Sequence, residues 1–158
     1  MRNDVQELTA LVTGASSGLG EAIAKEFKGR GFKVGGISRS RPAADIDLWI
    51  KADLTDAGQK EKACEELKRN FGRLDLLVNN AGIGLYETWE NSNEKDLRLL
   101  FELNFFAPIS LSRLLLPMLK DTRGVVINIS SVAAFLPVAC MGAYCASKAA
   151  LSSFSRSL

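Results

Sequence analysis

Histidine is missing entirely from this chain of 158 residues. Ser-His-Asp hydrolysis, Cys-His proteolysis and histidine-ligated zinc are therefore excluded, and we expect no metal site. Cysteine is scarce as well: Cys64, Cys140 and Cys145 form no Cys-x-x-Cys pair. The stretch Met1–Thr9 is polar and charged, so we expect neither a secretory leader nor an anchor there. An odd number of cysteines without a leader predicts reduced thiols and a cytoplasmic location.

The sequence also lacks a strong charge of one sign and a long hydrophobic run. Its net charge is +2, and the basic residues are scattered, so we expect no nucleic-acid partner. The most apolar stretch, residues 114–119, is short and contains Pro117, so we expect no membrane span. With 47% hydrophobic residues the chain can bury a core, and its length predicts a single domain over residues 1–158.

A glycine-rich turn follows the first predicted strand. Residues 8–13 are apolar and β-prone, and Gly14-x-x-x-Gly18-x-Gly20 leads into a helical segment. In this arrangement backbone amides and a helix N-terminus can hold a pyrophosphate, and glycines let the backbone approach the ligand. A plain strand-to-helix turn is the alternative, because one glycine motif alone is weak evidence.

Tyr144 and Lys148 are four residues apart, and Ser131 lies thirteen residues before the tyrosine. On a helix, residues i and i+4 share a face, so the ammonium can lie beside the phenol. At about 4.5 Å and an effective dielectric of about 20, one charge supplies roughly 4 kcal/mol. About that much is needed to make a phenol that titrates near pH 10 useful at neutral pH. The pair is therefore interpreted as a tuned proton donor, and a helix that carries both residues by chance is the alternative.

Short β-rich segments alternate with longer amphipathic ones, which predicts an α/β fold: a parallel sheet with helices on both faces. The predicted strands are residues 8–13, 33–38, 47–52, 74–78 and 124–130. The predicted helices are residues 21–28, 57–71 and 94–120, with a last helix that begins near residue 144. Pro108 and Pro117 are expected to bend or divide the long third helix.

Together, the glycine turn, the Asn-Asn-Ala-Gly sequence at residues 79–82, Asn104, Ser131 and Tyr144…Lys148 resemble the short-chain dehydrogenase/reductase family. The resemblance runs from Leu8 to the last residue. It implies a Rossmann-like, doubly wound parallel sheet with strand order 3-2-1-4-5 and a dinucleotide at the reversal of that order. Family members of ordinary length continue for roughly another hundred residues. We therefore expect a C-terminal truncation that removes strands six and seven and leaves strand five as an open edge.

The resemblance implies a role for each of four catalytic residues. Tyr144 would be the general acid in carbonyl reduction and the base in alcohol oxidation. Lys148 would acidify the tyrosine and hydrogen-bond the nicotinamide ribose, and Ser131 would hold the substrate oxygen in line. Asn104 would order a water that links the lysine to solvent. An amide that caps or kinks the long helix is the alternative for Asn104.

The resemblance and the charges together predict NADP(H) in preference to NAD(H). NAD-preferring members usually carry an acidic residue where this chain has Ser38, and Arg39 follows it with a guanidinium suited to a 2′-phosphate. Arg41 either adds to this site or is simply solvated. Asp53 and Leu54 match the adenine position, although Asp53 is also an ordinary helix-cap candidate, as are Thr55 and Asp56. The residues expected to contact the dinucleotide are Gly14, Ser16, Ser17, Gly18, Leu19, Gly20, Ser38, Arg39, Asp53, Leu54, Asn80, Ala81, Gly82, Tyr144 and Lys148.

The expected function is therefore NADP(H)-dependent hydride transfer to or from a small-molecule carbonyl or secondary alcohol. Segments 83–86 and 132–141 are mostly apolar, which either favours a ketone with a hydrophobic portion or reflects packing under a lid. A truncated nucleotide-binding module without turnover is the alternative function. A homodimer or homotetramer is expected, because the long helix carries more apolar residues than one core face needs. The residues in question are Leu111, Leu114, Leu115 and Met118.

Overall fold

The structure, a computed structural model, describes residues 7–158, so most of the segment Met1–Thr9 lies outside the described residues. The strands are β1 (Thr9–Thr13), β2 (Lys33–Ser38), β3 (Leu48–Lys51), β4 (Leu76–Asn79) and β5 (Val125–Asn128). The helices are α1 (Gly18–Gly29), α2 (Ala57–Phe71), α3 (Glu94–Phe101), α4 (Ala107–Thr122) and α5 (Gly142–Ser155). A π-helical turn (Glu102–Phe106) joins α3 to α4, and single 3₁₀ turns cover Trp89–Asn91 and Val132–Ala134.

The five strands form one parallel sheet in the order β3-β2-β1-β4-β5, which confirms the predicted topology. Every residue of β1 is buried, because helices cover both faces of the sheet at its centre. β1 pairs with β2 on one side and β4 on the other, so the strand order reverses there. The carboxyl ends of β1 and β4 therefore form the edge where a ligand crevice is expected.

Two hydrophobic clusters lie on opposite faces of the sheet. Leu11 and Leu77 pack with α2 and α4 on one face, and Val12 and Val78 pack with α1 on the other. In the described residues β5 pairs only with β4, and its side chains Val125 and Ile127 are exposed. The expected open edge at β5 is therefore present.

The expected apolar surplus on the long helix is wrong for the residues that suggested it. Leu111, Leu115 and Met118 belong to the core beneath α4, and Leu114 packs against that core. Turning these residues inward fills the space between α4 and the sheet. The apolar side chains that α3, α4 and the π turn leave exposed are Leu99, Phe106 and Leu116.

Of the two prolines in the long helix, Pro108 lies beside an interruption of the helix, whereas Pro117 does not divide it. Pro108 lies in the first turn of α4, directly after the π turn, where a missing N–H is tolerated. Pro117 lies inside α4 and does not divide it. By length and composition Glu94–Thr122 would be able to cross a membrane, with a mean hydropathy of 1.5. A buried core helix passes the same test: Leu100 of this segment is buried, and Leu111 and Leu115 belong to the core beneath α4.

Several element ends also differ from the predicted ones. β3, β4 and β5 are shorter than predicted, because pairing determines where they begin and end; β4 begins at Leu76, opposite Ala10 of β1. α1 begins within the glycine turn, at Gly18, and α5 begins at Gly142, before the tyrosine. These shifts bring the helix N-termini closer to the sheet edge.

Candidate active site

A cleft of about 500 Å³ opens at the carboxyl ends of β1, β2 and β4. Ten of the residues expected at a dinucleotide line it: Gly14, Ser16, Ser17, Ser38, Arg39, Asp53, Leu54, Asn80, Ala81 and Gly82. Ile37, Ser40, Ala52, Thr55, Ile83, Leu99 and Leu103 complete the lining. Gly18, Leu19 and Gly20 lie beside the cleft, at the start of α1. The cleft is therefore long, with an end at Arg39 and Asp53 and another end at Gly82 and Ile83.

The glycine turn brings the backbone to the floor of the cleft. Gly14 and Gly18 have φ angles of 68° and 56°, which favour glycine. A Cβ on Gly20 would lie 2.3 Å from the Gly14 carbonyl oxygen, so this position needs glycine for packing. Ser17 occupies the N-cap of α1, and its side chain makes no capping hydrogen bond. The first N–H groups of α1 are therefore left for an anion.

Thr13, which the sequence analysis did not single out, joins β1 to β4 at the cleft. Its hydroxyl oxygen accepts hydrogen bonds from the N–H groups of Asn80 and Ala81, both at 2.9 Å. The Asn80 side chain donates in return to the Thr13 carbonyl at 2.9 Å. A threonine that ends a buried strand directly before a glycine turn needs a partner for its hydroxyl, and this was the available signal.

At one end of the cleft the hydroxyl of Ser38 is fully engaged. It donates to the Ser40 carbonyl at 2.7 Å and accepts from the indole N–H of Trp49 at 3.2 Å. Arg39 lines the cleft and is exposed, whereas the Arg41 guanidinium lies 5.7 Å from the centre of the Trp49 ring. Of the two arginines, Arg39 is therefore the one placed to meet a ligand.

Asp53 presents a carboxylate at the same end. Thr55 donates to its Oδ1 from the backbone at 2.9 Å and from the hydroxyl at 2.7 Å. These bonds lower the pKa of Asp53 from its ordinary value, with a smaller contribution from the charge of Arg39. The helix cap of α2 is Asp56, which accepts from the Gln59 N–H at 2.9 Å. Asp53 is thus not the helix cap.

Asn104 fixes the other end of the cleft from within the π turn. Its side chain is fully buried and pairs with both backbone groups of Ile83, each at 2.9 Å. Its amide also donates to the Ser147 hydroxyl of α5 at 3.2 Å. The side chain therefore links the segment after β4 to α5 and does not cap its own helix.

Lys148 and Tyr144 lie together near this end. The Lys148 ammonium donates to the Ile129 carbonyl at 2.8 Å and lies 5.9 Å from the centre of the Tyr144 ring. A Cβ on Gly82 would be 3.5 Å from this ammonium nitrogen, so the lysine borders the cleft where Gly82 lines it. Burial lowers the pKa of Lys148, because the interior disfavours its charged form.

Ser130 and Ser131 have different environments. The Ser130 hydroxyl bonds to the Lys148 carbonyl at 3.1 Å and the Ser152 hydroxyl at 2.6 Å, so it fastens α5 to the end of the sheet. The Ser131 hydroxyl oxygen accepts from the Ala133 N–H at 3.1 Å. Because Ser131 uses its hydroxyl only as an acceptor there, it keeps a proton to donate.

Two loops border the Gly82 end of the cleft, near Tyr144. We call these loops together the mouth (residues 83–93 and 131–141). A backbone bond of 2.8 Å from Glu87 N–H to the Cys140 carbonyl joins them, four residues before Tyr144. The mouth exposes several large apolar side chains, each at least 44% accessible: Tyr86, Trp89, Val132, Phe135, Leu136 and Val138. An apolar ligand group would find contacts here.

Comparison with known proteins gives consistent matches. A family model described as short chain dehydrogenase matches residues 8–158. A 3-ketodihydrosphingosine reductase of Bacteroides thetaiotaomicron is 34% identical, over 98% of this chain and 58% of its own length. A metagenomic short-chain oxidoreductase in complex with NADP is 31% identical with a TM-score of 0.86, over 95% of this chain and 73% of its own. A Brucella ovis oxidoreductase of this family in complex with a partially ordered NAD is 34% identical with a TM-score of 0.86. The match covers 96% of this chain and 76% of the Brucella chain. The chain spans about half the length of the curated relatives it matches.

Proposed function

Because the chain belongs to the short-chain dehydrogenase/reductase family, we propose that it is an NADP(H)-dependent oxidoreductase acting on carbonyls or secondary alcohols. The observation that carries this is the single cleft with Arg39 and Asp53 at one end and Gly82 at the other. Lys148 borders the Gly82 end, and Tyr144 lies beside it. A dinucleotide that fills such a cleft presents its phosphate-bearing ribose and its nicotinamide to opposite ends.

The glycine turn and the start of α1 fit a dinucleotide by their shape and their hydrogen-bond donors. A Cβ on Gly14 would lie 3.0 Å from Ala81, so the turn and the segment after β4 approach too closely for a side chain. The uncapped start of α1 supplies N–H groups to a pyrophosphate. When bound, the nicotinamide supplies or accepts the hydride.

The protein residues hold and move the proton. Tyr144 donates its phenolic proton to the carbonyl oxygen during reduction and takes it back during oxidation. The Lys148 ammonium stabilises the resulting phenolate, and the Ser131 hydroxyl donates a hydrogen bond to the same substrate oxygen. Asn104 holds Ile83 and Ser147, which keeps the segment after β4 against α5.

The residues at the end of β2 support the proposed preference for NADP(H). Ser38 offers no carboxylate for a ribose diol, and its hydroxyl is already engaged by Ser40 and Trp49. Arg39 is exposed on the cleft and suits a 2′-phosphate, which it can bind with two charge-assisted bonds. Solved structures similar to this chain hold NADP in one case and NAD in another, so this preference rests on Ser38 and Arg39.

The exposed side chains of the mouth support a proposal for the substrate class. Its exposed apolar residues favour a ketone or alcohol with a hydrophobic portion, such as a steroid, fatty or aromatic compound. A similar protein carries the name 3-ketodihydrosphingosine reductase, which agrees with a fatty substrate. The protein acts in the cytoplasm as a homodimer or homotetramer, and the exposed Phe106 and Leu116 are candidates for the subunit contact.

A fluorescence titration of the protein with NADPH and with NADH tests the cofactor. We expect tighter binding of NADPH, and a loss of about tenfold or more in Arg39→Ala, since hydrogen bonds to charged groups contribute about 1.5–3 kcal/mol. NADH affinity should not change. Arg41→Ala is the matched control, because Arg41 lies over Trp49. Unchanged NADPH affinity in Arg39→Ala would refute the assigned preference.

A screen of apolar ketones with NADPH then separates two candidate functions. Oxidation of NADPH supports the oxidoreductase. Tight binding without any oxidation favours a nucleotide-binding module without turnover.

A further inference from the structure

Lys60 of α2 is a buried cation that the proposed chemistry does not use. Its side chain is 5% exposed, and its ammonium lies 2.6 Å from the Glu102 carboxylate, whose side chain is 34% exposed. Lysine is almost never buried without a partner, because desolvation of the charge is costly. The pair joins α2 to the start of the π turn across 42 residues of sequence.

Glu102 is the residue at which the long helix changes from α to π geometry. Its N–H still bonds to the carbonyls of Arg98 and Leu99 in α3. Its carbonyl accepts the N–H of Ala107, five residues later, which is the hydrogen bond that closes the π turn. Lys60 therefore holds the side chain of the residue whose backbone begins the turn.

The π turn determines where Asn104 points. One residue advances a helix by about 100°, so loss of the extra residue in the turn would rotate Asn104 away from Ile83. At present the Asn104 amide meets both backbone groups of Ile83, and Ile83 lines the cleft. The position of Glu102 therefore determines where Asn104 lies, and Asn104 in turn holds Ile83 at the Gly82 end of the cleft.

The same turn of α2 also holds the opposite end. Gln59, next to Lys60, accepts the Asp53 N–H with its side-chain oxygen at 2.9 Å. Asp53 lines the cleft beside Arg39. Neighbouring residues of one helical turn therefore contact the segments that bound both ends of the cleft.

We infer, building on the proposed function, that Lys60 and Glu102 are positioning residues for the cofactor cleft. Their ion pair fixes the π turn so that Asn104 holds Ile83, while Gln59 holds Asp53 from the same turn of α2. The first turn of α2 thereby sets the distance between the two ends that a dinucleotide must span.

Hydrogen exchange on the nucleotide-free protein tests this directly. In Lys60→Met the buried charge is removed, and the partly exposed Glu102 is left to water, so the fold should persist. We expect the Ile83 N–H, which bonds to Asn104, to exchange at least tenfold faster than in the unchanged protein. The Val78 N–H in β4 is the internal reference, because a global loss of stability would accelerate both amides. NADPH affinity should fall about fivefold.

Lys62→Met is the matched control, since Lys62 is an exposed lysine of the same helix. Lys60→Arg, which keeps a cation for Glu102, should restore slow exchange at Ile83. If Lys60→Met does not fold, Glu102→Gln takes its place, because the amide keeps the size of the side chain. Equal Ile83 exchange in the Lys60 or Glu102 variant and in Lys62→Met would overturn the inference. Failure of the unchanged protein to bind NADPH would instead overturn the proposed function, and the exchange at Ile83 would still decide the role of the ion pair.

Discussion

The Lys148 ammonium makes one hydrogen bond and lies close to two further residues. It donates to the Ile129 carbonyl and lies beside the Tyr144 ring and Gly82. Burial lowers its pKa from the ordinary 10.5, so it loses its proton at a lower pH than a free lysine does. Any contribution to activity that requires the charged ammonium is therefore present at a pH below this lowered pKa. It is lost as the pH rises through the pKa. Activity at alkaline pH should decline for this reason.

Replacing Tyr144 by Phe removes the phenolic proton and leaves the ring in place. We expect turnover of any ketone reduced by the unchanged protein to fall by about 10²–10⁴-fold, the usual contribution of a positioned general acid. NADPH affinity should stay within about twofold, because tyrosine contributes mainly to the chemical step. Steady-state rates and fluorescence titration measure the two effects. Retained turnover in Tyr144→Phe would refute the proton-transfer role.

At the scale of elements, two glycines of α1, Gly20 and Gly29, have different surroundings. Gly20 faces the Gly14 carbonyl and the Asn80 amide, at 2.3 and 2.4 Å from an added Cβ. Gly29, in the last turn of the same helix, has no atom within 4 Å of an added Cβ. One glycine therefore lets the helix start close to the sheet, and the other only lowers helix propensity.

These two glycines give opposite predictions. Gly20→Ala should lower the free energy of unfolding by about 1–3 kcal/mol, since overpacking of a tight site costs that much, and it should weaken NADPH binding. Gly29→Ala should raise the free energy of unfolding by about 0.4–1 kcal/mol, because alanine restricts the unfolded chain. Urea unfolding and NADPH titration on both variants check this. A tolerated Gly20→Ala would show that the turn does not need its close approach.

The elements also show which parts of the fold are readable from sequence. Alternating β-prone and amphipathic segments predicted all five strands, because strand propensity and hydrophobic periodicity are local properties of the sequence. The π turn was not predicted, because Asn104 and Glu102 take their places through Ile83 and Lys60, which are distant in sequence. Leu111 and Leu115 were assigned to a surface because sequence shows the apolar face of a helix but not what covers it.

At the scale of the whole molecule, Asp75 joins the amino ends of β1 and β4. Its carboxylate accepts from the backbone and hydroxyl of Thr9 at 2.8 and 3.0 Å, and Arg73 donates to it as well. The Arg73 hydrogen bond is the largest cause that lowers the pKa of Asp75, and the bonds from Thr9 lower it further. The Asp75 carboxylate thus holds β1 and β4 together, and protonation at low pH removes its charge.

Asp75→Asn should therefore change how stability depends on pH. The pKa of this carboxyl is lower in the folded state than in the unfolded state, where it is 3.8. The carboxyl therefore contributes its full stabilisation above pH 3.8, and this stabilisation is lost as the pH falls through the pKa of the folded state. At pH 7 we expect Asp75→Asn to lower the free energy of unfolding by about 1–3 kcal/mol. The difference from the unchanged protein should shrink below about pH 4. Urea unfolding from pH 3 to pH 7 measures it, with Asp121→Asn at an exposed carboxyl as the control. A pH-independent difference would contradict the assigned role.

The sequence predicted the two ends of the cleft better than the mouth. Arg39, Asp53 and Gly82 come shortly after β2, β3 and β4, so a correct strand order places them along one edge of the sheet. The mouth depends on how residues 83–93 and 131–141 fold against each other, and the Glu87–Cys140 bond that joins them has no local signature. Thr13 was missed for a similar reason, because its partners Asn80 and Ala81 are distant in the chain.

That single main-chain bond between the mouth loops has an evolutionary consequence. It uses only backbone atoms, so it places little demand on which amino acids occupy either loop, except at Cys140, whose φ of 61° disfavours β-branched residues. Both loops can then diversify by mutation or recombination while the sheet and Tyr144, the proposed proton donor, are inherited unchanged. New substrate ranges would be expected to arise by exchange of these two loops as a matched pair.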